Sequence, residues 1–336
     1  MRLQILVPHY KEEAFEVMPL LDSIAIQQNV DFNDVGVIIC HDGDESKDFK
    51  FVEGENGYIG RNYPFEIKQI RQKHRGVSAA RNACLDNATA DYVMFCDADD
   101  MFCNVCGLWI IFREIDNGGF DSLVSVFIEE TRMPNTNEIT YINHEMDSTF
   151  VHGKVHRRGY LLRNQIRWND KLTIHEDSFF NIQCQNLSKN VKYCPVPFYL
   201  WKWRDESVCR HDPKYILKTY RNMIDSNDAL IDEFIKRGVQ DKAMFFTAFM
   251  IFDAYYTMNK PEWINQENKE YRDETEKRFA KYFKKRRGLW HLVPTNDKMV
   301  ISNQVRSRSV MEGMQMEAVT IDAWLKKIVK IEKKKG

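Results

Sequence analysis

The residues best suited to chemistry are the carboxylates of Asp97-Ala98-Asp99-Asp100, directly after the apolar run Tyr92-Val93-Met94-Phe95-Cys96. Side chains just past the end of a buried strand project together into a crevice. Hard oxygen donors of this kind suit Mg2+ or Mn2+, which bind through one or two carboxylates plus substrate phosphates. Taken alone, the tetrapeptide is equally an acidic turn.

Two further clusters change that balance. In His175-Glu176-Asp177-Ser178-Phe179-Phe180, adjacent carboxylates open an apolar helical stretch, as a helix cap or as a general base for a hydroxyl that must lose its proton. In His74-Arg75-Gly76-Val77-Ser78-Ala79-Ala80-Arg81-Asn82, Gly76 permits a tight helix entry. Arg75, Arg81 and the helix N-terminus there would attract an anion. Gly76-Val77-Ser78-Ala79-Ala80 approaches the G-x-S-x-G nucleophile elbow, but the final glycine is missing and Gln72-Lys73-His74-Arg75 precedes it instead of an apolar strand. The hydrolase reading is rejected.

The elements that position these groups alternate. Short apolar strands are predicted at 3–7, 35–40, 65–70 and 92–96, with helices at 13–28 and 77–88 between them. In the first helix Val17, Leu20, Leu21 and Ile24 share one face. Such alternation implies parallel strands with crossovers, and ligands gather beyond the C-terminal strand ends. There lie Pro8-His9-Tyr10, His41-Asp42-Gly43-Asp44 and the Asp97 cluster. A helix at 107–115, strands at 123–128 and 139–142, and short helices at 159–165 and 178–185 follow. Pro195-Val196-Pro197 is expected to break the chain before the aromatic segment 198–203. Past Pro213 the pattern turns helical and charged, placing a domain boundary near residue 212.

Composition excludes several classes. The chain has 336 residues, 43% hydrophobic and 29% charged, with a formal net charge of −1, so bulk charge does not make it a coat for nucleic acid. No run approaches the roughly 20 apolar residues that span a bilayer, and 243–256, interrupted by Asp253, reads as a buried helix. A cytoplasmic protein with reduced thiols is expected. Cys103 and Cys106 form a lone C-x-x-C without a second pair, too few ligands for zinc. No G-x-G-x-x-G follows the first strand, which speaks against a dinucleotide oxidoreductase.

Taken in order, Val7-Pro8-x-Tyr10, Asp42-Gly43, Gly76-x-Ser78-x-Ala80-Arg81-Asn82, Asp97-x-Asp99-Asp100 and Glu176-Asp177-x-x-Phe180 resemble the family-2 inverting glycosyltransferases of the GT-A fold. The resemblance covers roughly residues 1–210. It implies a mixed, mainly parallel α/β sheet flanked by helices (1–212), followed by a helical C-terminal region (213–336). It also implies a nucleotide-sugar donor, with Pro8 and Tyr10 flanking the base, Asp42 accepting a hydrogen bond from it, and Arg81 near the nucleotide. Asp97 would approach the ribose, Asp99 would hold Mn2+ or Mg2+ on the diphosphate, and Asp177, or else Glu176, would be the catalytic base. Trp203 and Arg204, within Trp201-Lys202-Trp203-Arg204-Asp205-Glu206-Ser207, would fold over the donor, and His211 would be an extra metal ligand. Asp42 lacks the commoner D-D-G-S surroundings, which leaves the base, normally uracil, open. The Q-x-x-R-W of processive relatives is absent, so transfer of a single sugar is expected. A non-catalytic nucleotide-sugar binding module is the alternative, and Glu176-Asp177 speaks against it.

The C-terminal region is basic in patches. Lys277, Arg278, Lys281, Lys284, Lys285, Arg286 and Arg287 interleave with Phe279, Tyr282 and Phe283, and Lys333-Lys334-Lys335 lie near the end. These read as a solvated helix face, as contact with an anionic membrane surface bearing a lipid-linked acceptor, or as contact with nucleic acid bearing a modified base. The acceptor is thus a saccharide, a lipid-linked glycan or a hydroxymethylated DNA base.

Overall fold

The computed structural model describes residues 1–43, 57–58, 61–133, 135–204, 215–309 and 320–333. The chain divides into two compact units, Met1–Ser207 and Val208–Gly336.

In the first unit, β1 (Leu3–His9), β2 (Val35–Asp42) and β5 (Glu66–Gln72) are parallel, as is β6 (Tyr92–Phe95) on the other side of β1. A two-stranded ribbon, β3 (Gly57–Tyr58) and β4 (Arg61–Asn62), lies between β2 and β5 in sequence. Beyond β6 the sheet becomes mixed. The strands β7 (Met101–Phe102), β8 (Ser122–Arg132), β10 (Lys154–Arg157) and β11 (Val191–Trp201) complete the order β5-β2-β1-β6-β10-β8-β11-β7, and β9 (Ile139–His144) pairs with β8.

β1, β2 and β6 are buried on both faces, because their odd and even residues feed separate cores, whereas β5 leaves Glu66 and Arg71 exposed. Leu3, Ile5 and Val7 meet Val17, Leu20, Leu21 and Ile24 of α1 (Ala14–Ala25) and Leu108 and Ile111 of α3 (Gly107–Asp116). Leu6, Ile38 and Phe95 meet Ala80 and Cys84 of α2 (Val77–Asn87) and Phe180 of α5 (Glu176–Asn186). Gln4 is the polar exception in β1. Its Oε1 accepts the Thr89 and Ala90 N–H groups at 2.7 and 2.9 Å, the donors left beyond the end of α2.

One expectation is corrected, and one strand lies where none was expected. Pro195-Val196-Pro197 does not break the chain; it lies inside β11, whose register to β8 shifts between Cys194 and Tyr199, an irregularity that admits residues unable to donate to the ladder. The interior strand β10 carries no apolar run. Its Lys154 is buried with Nζ donating to the Phe150 carbonyl at 2.5 Å, and His156 meets the Ser122 hydroxyl at 2.9 Å. Burial holds His156 down to about 3, hence neutral. After β10, α4 (Arg158–Arg163) leads towards α5.

The second unit is helical: α6 (Tyr215–Lys236), α7 (Gln240–Met258), α8 (Pro261–Ile264), α9 (Lys269–Leu292), α10 (Thr295–Ser309) and α11 (Ile321–Lys333). Asp253, the charge inside the apolar α7, accepts the Tyr220 hydroxyl at 2.5 Å. In the basic α9, Phe279, Tyr282 and Phe283 are buried, while Lys285 and Arg286 pair with Asp228 and Asp232 of α6. Those aromatics are therefore core, and part of the positive charge is neutralised within the unit. No described helix is long and apolar enough to cross a membrane.

Phe180 anchors the start of α5, stacking on Trp168 at 4.2 Å between centroids and meeting Phe95 edge-on at 5.4 Å. Phe180→Ala is expected to cost about 3–5 kcal/mol in urea unfolding. A loss below about 1 kcal/mol would show that α5 is not held by this contact.

Candidate active site

The C-terminal ends of β1, β2 and β6 open onto a cavity of about 310 Å3. Its lining is Pro8, His9, Tyr10, Glu12, Asp42, His74, Val77, Ala80, Arg81, Asp97, Ala98 and Asp99. Of the predicted donor and metal residues, Pro8, Tyr10, Asp42, Arg81, Asp97 and Asp99 meet here. His211 and the 205–207 part of the aromatic-basic segment lie outside the described residues.

Asp42 ends β2 buried, and its oxygens are taken up locally. Oδ1 accepts from Gln72 Nε2 at 2.7 Å and the Arg75 N–H at 2.8 Å; Oδ2 accepts the Gly76 N–H at 2.8 Å and lies 3.0 Å from His74 Nδ1. Asp42 thus fixes the loop entering α2. Gly76 sits at φ +90°, a conformation that favours glycine. Tyr10 stacks on His74 at 4.2 Å, leaving an aromatic pair at the cavity mouth. Arg75 faces outward to Asp170.

Arg81 is the centre of the arrangement. Its guanidinium is 3% exposed and stacks on Trp168 at 4.3 Å. Nη2 donates to Asp97 Oδ1 at 2.9 Å; Nη1 donates to Asp177 Oδ1 at 2.6 Å and Glu176 Oε1 at 3.2 Å. One cation thereby joins the carboxylate after β6 to the acid pair that begins α5. Asp177 Oδ2 also accepts the Val151 N–H at 3.3 Å.

These contacts set the proton affinities. Burial pushes Asp97 up, but Arg81 and His152 together hold it below the ordinary carboxylate range. Burial raises Asp177 against the pull of Arg81, with Asp97 adding to the rise. For Glu176, burial and then Asp177 outweigh Arg81 and lift it to about 8, so it is mostly protonated at neutral pH. Arg81 itself is held firmly charged: burial opposes the charge, and Asp177, Asp97 and Glu176 together outweigh it.

Asp99 lies beside a second cation. Its Oδ2 accepts from Arg204 Nη1 at 2.8 Å, and Arg204 also reaches Glu16 at 3.1 Å and Glu12 at 4.0 Å. Burial and Asp97 raise Asp99, with Arg204 opposing. Burial lifts Glu12 to about 7. Trp203 donates its N–H to Glu130 at 3.3 Å. Sequence reasoning placed His9 and His74 within the site clusters without giving them a role, and missed Glu12 as a lining residue. The polar segment after β1 was the signal for Glu12.

A divalent cation has a fitting donor set here, because Asp97 and Asp99 bring hard oxygens to one cavity. Asp97, Asp100 and His152 form a tighter group, with ligand atoms within 4.8 Å of one another. Asp100, however, is 1% exposed and already accepts the Tyr199 hydroxyl at 2.5 Å and the Lys202 N–H at 3.0 Å, which commits it to the fold. Among the described residues nothing joins Cys103 and Cys106 in a metal-binding group.

The model of glycosyl transferase family 2 matches residues 4–178, which contain the cavity and both carboxylate clusters. The chain belongs to that family. It is 20% identical over 254 residues to the putative glycosyltransferase EpsH of Bacillus subtilis, covering 69% of each chain. It is 24% identical over 191 residues to the poly(ribitol-phosphate) beta-N-acetylglucosaminyltransferase TarS of Staphylococcus aureus, covering 54% of this chain and 32% of that protein. Among solved structures, S. aureus TarS 1–349 in complex with UDP superposes with a TM-score of 0.61 at 15% identity, covering 100% of this chain and 92% of that one. The same fragment with UDP-GlcNAc gives 0.62 at 16% identity, covering 98% and 91%. These likenesses establish the GT-A fold with a helical C-terminal region, and the chain is a glycosyltransferase.

Glu176 gives a stability prediction with a definite sign. Its folded pKa of about 8 lies above the reference 4.5, so the folded state holds a proton that the unfolded chain releases in between. That stabilisation is complete below pH 4.5 and lost as pH rises through about 8. Glu176→Gln removes the dependence and is expected to raise Tm at pH 8.5 by about 2–4 °C relative to wild type, with a smaller difference at pH 5. Equal displacement at both pH values would contradict the assignment.

Proposed function

We propose that the chain moves one sugar from a UDP-linked donor to a hydroxyl of a saccharide acceptor, free or lipid-linked, with inversion at the anomeric carbon. The observation that supports this most is the Arg81 guanidinium, which lines the cavity and binds the acid pair of α5 at 2.6 and 3.2 Å. Donor site and proton acceptor are therefore neighbours. The uridine assignment draws on the TarS structures with UDP and UDP-GlcNAc and on the family.

In this reading the base of the nucleotide stacks at Tyr10 beside Pro8, over a loop that Asp42 holds in place. Asp97 faces the ribose, and Asp99 with Asp97 would hold Mn2+ or Mg2+, which when bound neutralises charge on the diphosphate. Arg204 would exchange Asp99 for the diphosphate as the donor enters. The acceptor oxygen attacks the anomeric carbon as the bond to the diphosphate breaks, and its proton passes to Asp177. Arg81 and the Val151 N–H orient that carboxylate, leaving lone pairs free for the proton. Glu176, held protonated, is the poorer base, which favours Asp177 over its neighbour.

Asp177→Asn is expected to bind UDP-sugar with wild-type affinity in calorimetry while transfer falls at least about 100-fold; Asp99→Ala is expected to lose the Mn2+-dependent part of that binding. Undiminished transfer by Asp177→Asn would refute the base assignment.

A further inference from the structure

A second cavity, of about 460 Å3, opens in the same unit at the opposite end of the strands, where β6 and β8 begin and β10 ends. Three arginines line it: Arg157, Arg158 and Arg163. Among the described residues none of the three is ion-paired, whereas Arg2, Arg61, Arg81 and Arg167 of this unit each face an aspartate. One acid, Asp91, shares the lining.

Arg157 and Arg158 are held by neutral partners that leave charge and donors unspent. Arg157 Nε donates to the Phe120 carbonyl at 3.1 Å, with its guanidinium 5.2 Å from the Tyr92 ring centroid. Arg158 Nε donates to the Ala90 carbonyl at 2.8 Å and Nη2 to Thr89 at 3.4 Å. Two glycines make room for them. A Cβ on Gly119 (φ +64°) would lie 2.6 Å from Arg157 Nη2, and one on Gly159 would lie 3.1 Å from Arg163 Nη1. Planar guanidinium forks anchored at one edge present their remaining N–H groups in the geometry that binds phosphate oxygens.

We infer that this cavity is an anion site that takes a phosphoryl group. Six residue steps, about 20 Å when extended, separate Asp91 from Asp97, so it serves a group other than the reacting donor. The phosphoryl group belongs either to a free phosphate or to a phosphodiester within an extended acceptor. The inference does not depend on the donor reading.

The test titrates the whole protein with inorganic pyrophosphate by calorimetry, with uridine diphosphate present to fill the first cavity. Binding is expected in wild type and at least about tenfold weaker in Arg158→Gln/Arg163→Gln, with circular dichroism unchanged. Arg163→Gln alone, at an exposed position, is the second variant should the double one unfold; at least a threefold weakening is expected. Absent heat in wild type, or equal affinity in wild type and variants, would overturn the site. A glycerophosphodiester that binds more tightly than pyrophosphate assigns the site to the acceptor, and the reverse order to a free phosphate. Failure of the donor reading would appear separately, as absent uridine diphosphate binding.

Discussion

Arg81 sits buried among three carboxylates, and much of the candidate site follows from how that charge is accommodated. A buried guanidinium is costly unless its donors are met by anions, and unpaired buried carboxylates are costlier still. Lysine would not serve, because a single ammonium has no planar fork to reach acids on two separate elements while stacking on Trp168. The set is unbalanced: Asp97, Glu176 and Asp177 face one cation. That surplus of negative charge helps keep Glu176 protonated and raises the proton affinity of Asp177. Arg204 relieves the outer acids, Asp99, Glu12 and Glu16, in the same way. A divalent ion bound here would offset that surplus.

The sheet makes the arrangement possible. In its parallel half β1, β2 and β6 are buried on both faces and end at one edge, where the chain turns polar within a residue or two. Its mixed half brings α5 back beneath the same edge, with Phe180, Trp168 and Arg81 stacked in layers. Helix and strand thus meet at one cation. The second cavity shows the opposite choice at the other edge, where arginines rest on carbonyls and the field stays positive.

Much of this was legible in the sequence, for identifiable reasons. The runs around Leu6, Ile38 and Met94 announce strands because, Gln4 apart, their side chains are apolar, as a strand buried on both faces requires. The carboxylates of the Asp97 and Glu176 clusters stand out because they interrupt such runs. β10 was missed because Lys154 and His156 are polar residues buried with hydrogen-bond partners, a solution that leaves no periodic signature. The prolines of β11 misled because a register shift absorbs them. Glu12 was missed because its significance comes from Asp99 and Arg204, far from it in the chain. Nor did spacing reveal that Asp42 spends its oxygens on the end of β5 and the loop after it, since two of those partners are backbone N–H groups, which residue type does not report.

The claim on which the account rests is that Arg81 physically couples the strand-end carboxylate to the acid pair. A double-mutant cycle on unfolding free energy, with Arg81→Gln, Asp177→Asn and the combined variant, measures that coupling directly at pH 7. The structure predicts an interaction energy of about 1.5–3 kcal/mol, the upper part of the range for contacting residues in one ion-pair network. Additive effects, with an interaction within about 0.5 kcal/mol of zero, would mean that the two side chains do not meet in solution and would contradict the site as described.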